Sequence, residues 1–173
     1  MTPSTLLGQL KKEHEDVKLL FKKAEDCDQD ERADVLQEIK EELVPHARGE
    51  EKTIYSLLKG LLDNEDASEE DLNLANEAYE EHRVIDELLK SLESINANDE
   101  KWIAHLKVLK ENVEHHIKEE ELELFELIKK HFTADKLTEL KAVYLSVKER
   151  FADSLPSQAQ IRERQPSSEA ASV

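Results

Sequence analysis

Glycine and proline are scarce in this 173-residue sequence, with three and four copies, and aromatic residues make up only 5% of it. A chain so poor in turn formers and in the aromatics that strands favour does not fit a sheet-based domain with its frequent tight turns. There is one cysteine, Cys27, which excludes an internal disulfide and a cysteine-cluster zinc site and suits a reducing compartment. No run approaches the ~20 apolar residues of a membrane span. The opening Met1-Thr-Pro-Ser-Thr lacks the basic and apolar regions of a secretory leader. The expectation is a soluble cytoplasmic protein with no membrane partner. Positive charge is short as well: 24 Lys and Arg face 41 Asp and Glu, a formal charge of -17. Such a surface repels phosphate backbones, so nucleic acid is not an expected partner. Phosphate-binding glycine loops and GxSxG elbows are also missing.

What the chain has in quantity is Glu, Lys and Leu, the residues of helices. Apolar periodicity and capping signals mark five helical segments. The first runs from about Ser4 to Ala24 and the second from Glu31 to Leu62, with Pro45 expected to kink it or start a new helix. A turn is expected at 63–66. Ser68 with Asp71 resembles a capping box opening the third helix, which reaches Ile95. The fourth spans Asp99 to Lys130, and Thr133 caps a fifth that ends near Phe151. The expected fold is all-α: an up-down-up-down four-helix bundle with an additional C-terminal helix. Residues 1–151 would form this domain. The Ser-, Gln- and Ala-rich stretch 152–173 has no apolar stripe and is expected to be a disordered tail.

The apolar stripes are interrupted in a patterned way. Inward positions of the second helix step through Leu43, His46, Glu50, Ile54, Leu57 and Leu61, and those of the fourth through Leu109, Val113, His116, Glu120, Leu124 and Leu127. His14 falls between Leu10 and Val17, and His82 between Tyr79 and Ile85. Two core carboxylates need compensating charge, and Arg48, Lys52 and Lys118 lie mostly off the stripe. Metal ions would supply it. Residues i and i+4 share a helical face, so His46 with Glu50 and His116 with Glu120 can each offer a nitrogen and an oxygen to a common centre. Four imidazoles and two carboxylates suit two metals. The segment from His46 to Tyr55 aligns without a gap on that from His116 to Phe125, and Glu13-His14 parallels Glu81-His82. The first helix pair thus looks like a duplicate of the second, related by a pseudo-twofold axis.

This pattern of His14, His46/Glu50, His82 and His116/Glu120 over Leu6 to Lys130 resembles the hemerythrin-like, HHE cation-binding family, as do the Pro45-His46 step and the doubled glutamate after each HxxxE. The resemblance implies a non-haem centre of two iron ions with an oxo or hydroxo bridge, both glutamates bridging and the histidines filling outer positions. Oxygen-carrying hemerythrins are similar but have a fifth histidine from an HxxxH pair on the third helix. Here Ala78 and Asp86 flank His82, and Asp86 or Glu81 would be either a substitute or a solvated carboxylate. Of about twelve coordination positions on two metals, about two then stay open to water, dioxygen or peroxide. That is more open than reversible carriage requires. With divalent ions, two glutamates and a hydroxide, about one positive charge is left to attract an anionic or reduced-oxygen ligand. Nitrogen and oxygen donors suit iron, manganese or zinc alike, and iron is chosen by the resemblance.

Of the remaining histidines, His105 and Asn112 lie near the face of His116, where they form either a polar route to it or exposed surface. His115 rivals His116 but falls off the stripe with Glu119, and His131 suits a helix C-terminus. Tyr55 and Phe125 either line the pocket or pack the core. Three functions are weighed. The leading expectation is binding of dioxygen or a related small ligand for storage, sensing or redox protection. The others are a di-iron oxidase or peroxide-decomposing enzyme, and a metal-free helical interaction module. A sensor would need a separate signalling or redox protein partner.

Overall fold

The computed structural model describes residues 5–62 and 68–156, all helix and connecting turns with no strand among them. Helix α1 (Leu6–Asp26) starts at Thr5, whose hydroxyl accepts from the Gly8 amide. Such a cap satisfies one of the orphan donors of the first turn and is worth about 1 kcal/mol. Helix α2 (Arg32–Glu50) runs into a π-helical turn (Glu51–Tyr55) and on as α3 (Ser56–Leu62). Helix α4 (Glu69–Ser94) is capped by Ser68, which accepts from the Asp71 amide. Helix α5 (Lys101–Glu119) likewise passes through a π-helical turn (Glu120–Leu124) into α6 (Phe125–His131). Helix α7 (Ala134–Ser154), capped by Thr133, ends three residues beyond the expected Phe151. The expected turn at 63–66 and the tail from 157 lie outside the described residues.

Helix α1 packs on α2 and α5, and α4 packs on α5 and α2, so the two rods and two single helices close a four-membered bundle. Helix α7 lies against α1 and α2, covering that side of the bundle, and among the described residues the α4/α5 side has no equivalent. Two apolar clusters fill the ends of the interior. One is centred on Leu6, Leu10, Tyr55, Leu58 and Phe125, and the other on Phe21, Ile39, Leu92, Trp102 and Leu106. Between them lies a polar layer with His14, His46, Glu50, His82, His116 and Glu120, all buried.

The structure shifts three core expectations. Leu57 and Leu61 are 37% and 40% exposed, and Leu58 takes the inward place instead. The cause is the π turn: one extra residue per turn sets back the register by about 100°, so each later side chain rotates off its ideal α-helical direction. Tyr79 is also exposed, at the margin of the stripe, where its ring leans on Tyr55. Pro45 is carried inside α2 without ending it, and the irregularity falls six residues later, beside Glu50.

Candidate metal centre

Each inward histidine comes from a different rod of the bundle, and each is held by a carboxylate at its far nitrogen. His14 Nδ1 lies 2.8 Å from Glu121 Oε1, and His46 Nδ1 lies 2.8 Å from Glu13 Oε2. His82 Nδ1 lies 3.3 Å from Glu51 Oε1, and His116 Nδ1 lies 2.7 Å from Glu81 Oε2. An ionised carboxylate only accepts, so each Nδ1 carries a proton and each ring turns its Nε2 inward. The pairs obey the duplication read from the sequence: Glu13–His46 matches Glu81–His116, and Glu121–His14 matches Glu51–His82. Glu81 is therefore not a solvated carboxylate; it orients His116.

The inward nitrogens meet the two glutamates. His14 Nε2 is 3.2 Å from Glu120 Oε2, and His46 Nε2 is 3.3 Å from Glu50 Oε2. His82 Nε2 is 3.5 Å from Glu50 Oε2 and 3.0 Å from His116 Nε2. Donor atoms of His14, His46, Glu50 and Glu120 all lie within 4.8 Å of one another, as do those of Glu50, His82 and His116. Glu50 belongs to both groups. All six residues singled out in the sequence are thus brought to one place.

The donor set fits metal. Both oxygens of Glu50, Glu120 Oε2 and His14 Nε2 are buried without a hydrogen-bond partner, although the last two are close. Buried polar atoms without partners cost about 1–3 kcal/mol each, more when charged, and such a concentration needs a cause. Burial, and then the Glu120 charge, push the Glu50 carboxyl well above the usual range. Burial opposes ionisation of Glu120 too, but His14 overrides it and holds that carboxyl low. Two like charges cannot both form here unless cations join them. Burial also pushes the His46 imidazole down to about 4 despite Glu13, keeping it neutral and its lone pair free.

Residues beyond the six complete the arrangement. Tyr55 Oη lies 3.4 Å from Glu120 Oε1, so this tyrosine lines the centre as well as packing the core; its counterpart Phe125 offers Glu50 no hydroxyl. From α7, Tyr144 donates to Glu13, with its oxygen 3.0 Å from His46 Nδ1, and Lys148 Nζ is 3.0 Å from Glu13 Oε2. Burial opposes the Glu13 charge, but His46, Lys148 and Tyr144 hold it far below the usual carboxylate range. Asp86, one turn after His82, pairs with Arg48, which also binds Glu51. It braces the clamp on His82 and lines the same cavity as the four inward histidines. A cavity of about 20 Å³ touches all four histidines and is otherwise walled mainly by Val17, Leu43, Ile85, Leu89 and Val113. It has room for one water-sized occupant.

The outer carboxylates stood out in the sequence, each adjoining an inward residue at matching offsets in both halves, but their role in clamping the histidines did not. Tyr144 and Lys148 left no comparable mark. His105 and Asn112 do not form a route inward; they are half-buried and donate to the Lys101 and Val108 carbonyls one turn back. His115 is exposed and outside the buried group. Cys27 is half-buried, donates to the Ala24 carbonyl, and is pushed up by burial and then Glu31, which leaves an unreactive thiol. Among the described residues no helix is long and apolar enough to cross a membrane.

Comparison with known proteins agrees with this geometry. The hemerythrin HHE cation-binding domain model matches residues 5–128. An uncharacterized hemerythrin-like protein of Schizosaccharomyces pombe is 31% identical over 94 residues, which is 54% of this chain and 44% of that one. The chain therefore spans less than half the length of that relative. No solved structure matches it. With the match covering every helix that supplies an inward histidine, the chain belongs to the hemerythrin HHE cation-binding domain family.

Proposed function

We propose that this chain is a non-haem di-iron protein that binds dioxygen or a related small ligand, for storage, sensing or redox protection. The observation that carries the proposal is the pair of buried glutamates, three of whose four oxygens have no hydrogen-bond partner, facing four inward imidazole nitrogens. His14, His46, Glu50 and Glu120 would hold one ion, and Glu50, His82 and His116 the other, with Glu50 shared. Bound iron would supply redox chemistry and open positions for a small ligand.

The chain's own residues do the rest. Glu13, Glu51, Glu81 and Glu121 fix each imidazole by its Nδ1–H, setting tautomer and ring direction and raising the basicity of Nε2. The Val17, Leu43 and Val113 walls keep bulk water from the histidine side and leave space for one water-sized occupant. Tyr55 Oη holds a proton beside Glu120, and Tyr144 Oη holds one beside Glu13. These two buried hydroxyls favour a second reading, a di-iron oxidase or peroxide-decomposing enzyme. Catalytic loss of peroxide beyond that of the metal-free protein and free iron would select it.

The test is metal content and optical spectrum of protein grown with iron, beside a His46→Ala, His116→Ala variant. About two irons per chain, with near-ultraviolet and visible bands lost in the variant, are expected. Failure to take up metal under any reconstitution, with a melting temperature indifferent to chelator, would leave the metal-free interaction module.

A further inference from the structure

The four carboxylates behind the histidines are not compensated alike. Glu13 faces Lys148, Glu51 is paired with Arg48, and Glu121 has Lys11 Nζ at 3.7 Å. Glu81 has no lysine or arginine partner among the described residues. Its ion-pair partners there are His116 on one oxygen and His115 Nε2, at 3.8 Å, on the other. His115 Nε2 also lies 3.1 Å from Glu119 Oε1, a carboxylate likewise without a lysine or arginine among the described residues. One donor atom from each of Glu81, His115 and Glu119 falls within a common 4.8 Å. One imidazole nitrogen and two carboxylate oxygens make a donor set for a divalent cation, on the side of the bundle that α7 does not cover.

A second observation points inward from this cluster. A small cavity is lined by Glu81 and Glu119 together with His116 and Glu120. Glu120 is 2% exposed, and its Oε2 has no hydrogen-bond partner. Glu81 and Glu119 of the half-exposed cluster thus share one cavity with the buried centre, and His115 is joined to it through Glu81, which touches both His115 and His116.

We propose that Glu81, His115 and Glu119 form an outer divalent-cation site at the mouth of this cavity and that the buried centre is loaded through it. The loading role rests on the di-metal reading above; the outer site does not. On the opposite side the corresponding carboxylate, Glu13, is occupied by Lys148 and Tyr144 and sealed under α7, so that side offers a cation no landing place. Negative potential focused at a mouth speeds capture of a cation, while the final occupancy of the centre depends on the inner donors alone.

Cobalt(II) added to the metal-free full chain tests this by calorimetry and by its visible absorption. A Glu50→Gln, Glu120→Gln variant, with the centre disabled but the mouth intact, is expected to bind one cobalt weakly. Adding His115→Ala and Glu119→Gln should abolish that binding. In the otherwise unaltered protein the His115→Ala, Glu119→Gln pair should remove the one outer ion and slow loading of the buried centre by about tenfold or more without changing that centre's final occupancy. No cobalt on the centre-disabled variant would overturn the outer site, and an unchanged loading rate would overturn its role. If the unaltered protein and the centre-disabled variant each take one ion, lost with His115→Ala and Glu119→Gln, then the buried centre fails and the outer site stands.

Discussion

Gly49→Ala isolates what holds α7 on the bundle. In a helix interior alanine is favoured over glycine by about 1 kcal/mol, so on propensity alone the change should stabilise. At Gly49, however, a Cβ would sit 2.5 Å from Tyr144 Cε2 and 2.8 Å from Cδ2. The ring cannot slide away freely, because it is fully buried and its hydroxyl is bound to Glu13 and beside His46. Overpacking of this kind costs about 1–3 kcal/mol, and so severe an approach belongs at the upper end. Should the ring yield instead, a hydrogen bond to a charged group is lost, about 1.5–3 kcal/mol. Either route exceeds the propensity gain, leaving a net destabilisation of about 1–2 kcal/mol, or several degrees in Tm for a chain of this size. Gly60→Ala is the control, since nothing lies within 4 Å of its added Cβ, and it should stabilise by up to about 1 kcal/mol. Equilibrium urea unfolding of the metal-free proteins gives both values. In a Tyr144→Ala background the penalty at Gly49 should vanish, because the two residues interact directly. A Gly49→Ala protein as stabilised as Gly60→Ala would refute the reasoning.

Two further outcomes follow from the buried charges. The folded protein keeps Glu50 protonated above its ordinary value of 4.5, while the unfolded chain releases that proton. This contribution is therefore intact below pH 4.5 and is lost as pH rises towards the raised value. With chelator present, Glu50→Gln should be more stable than the parent by about 1–3 kcal/mol near neutral pH, with the difference shrinking to nothing near pH 4. Denaturant midpoints across that range check it, and a pH-independent difference would contradict the assignment. Glu13→Gln removes the anion that orients His46 and should weaken metal binding by about 10- to 100-fold, measured by competition with a chromophoric chelator. Unchanged affinity there would show that Tyr144 and the helix packing position the ring without it.

Much of this protein is determined by its sequence alone, because the information is periodic. Helix type and order follow from apolar spacing and from Ser68 and Thr133 at the helix starts. The six inward His and Glu residues stand out because a polar residue on a core stripe violates the pattern in a countable way, twice over at matching offsets. Other features depended on distances between segments far apart in the chain. That Glu13 clamps His46, that Glu81 clamps His116, and that Asp86 pairs with Arg48 are cross-helix contacts, and helical periodicity says nothing of which carboxylate will reach across. The two π turns beside Glu50 and Glu120 also left no simple mark, and they moved Leu58 inward in place of Leu57. The tertiary structure alone decided that α7 seals one half of a nearly twofold site and leaves the other open. A fifth helix has two grooves to choose between, and in the one it takes Gly49 leaves the space that the Tyr144 ring fills.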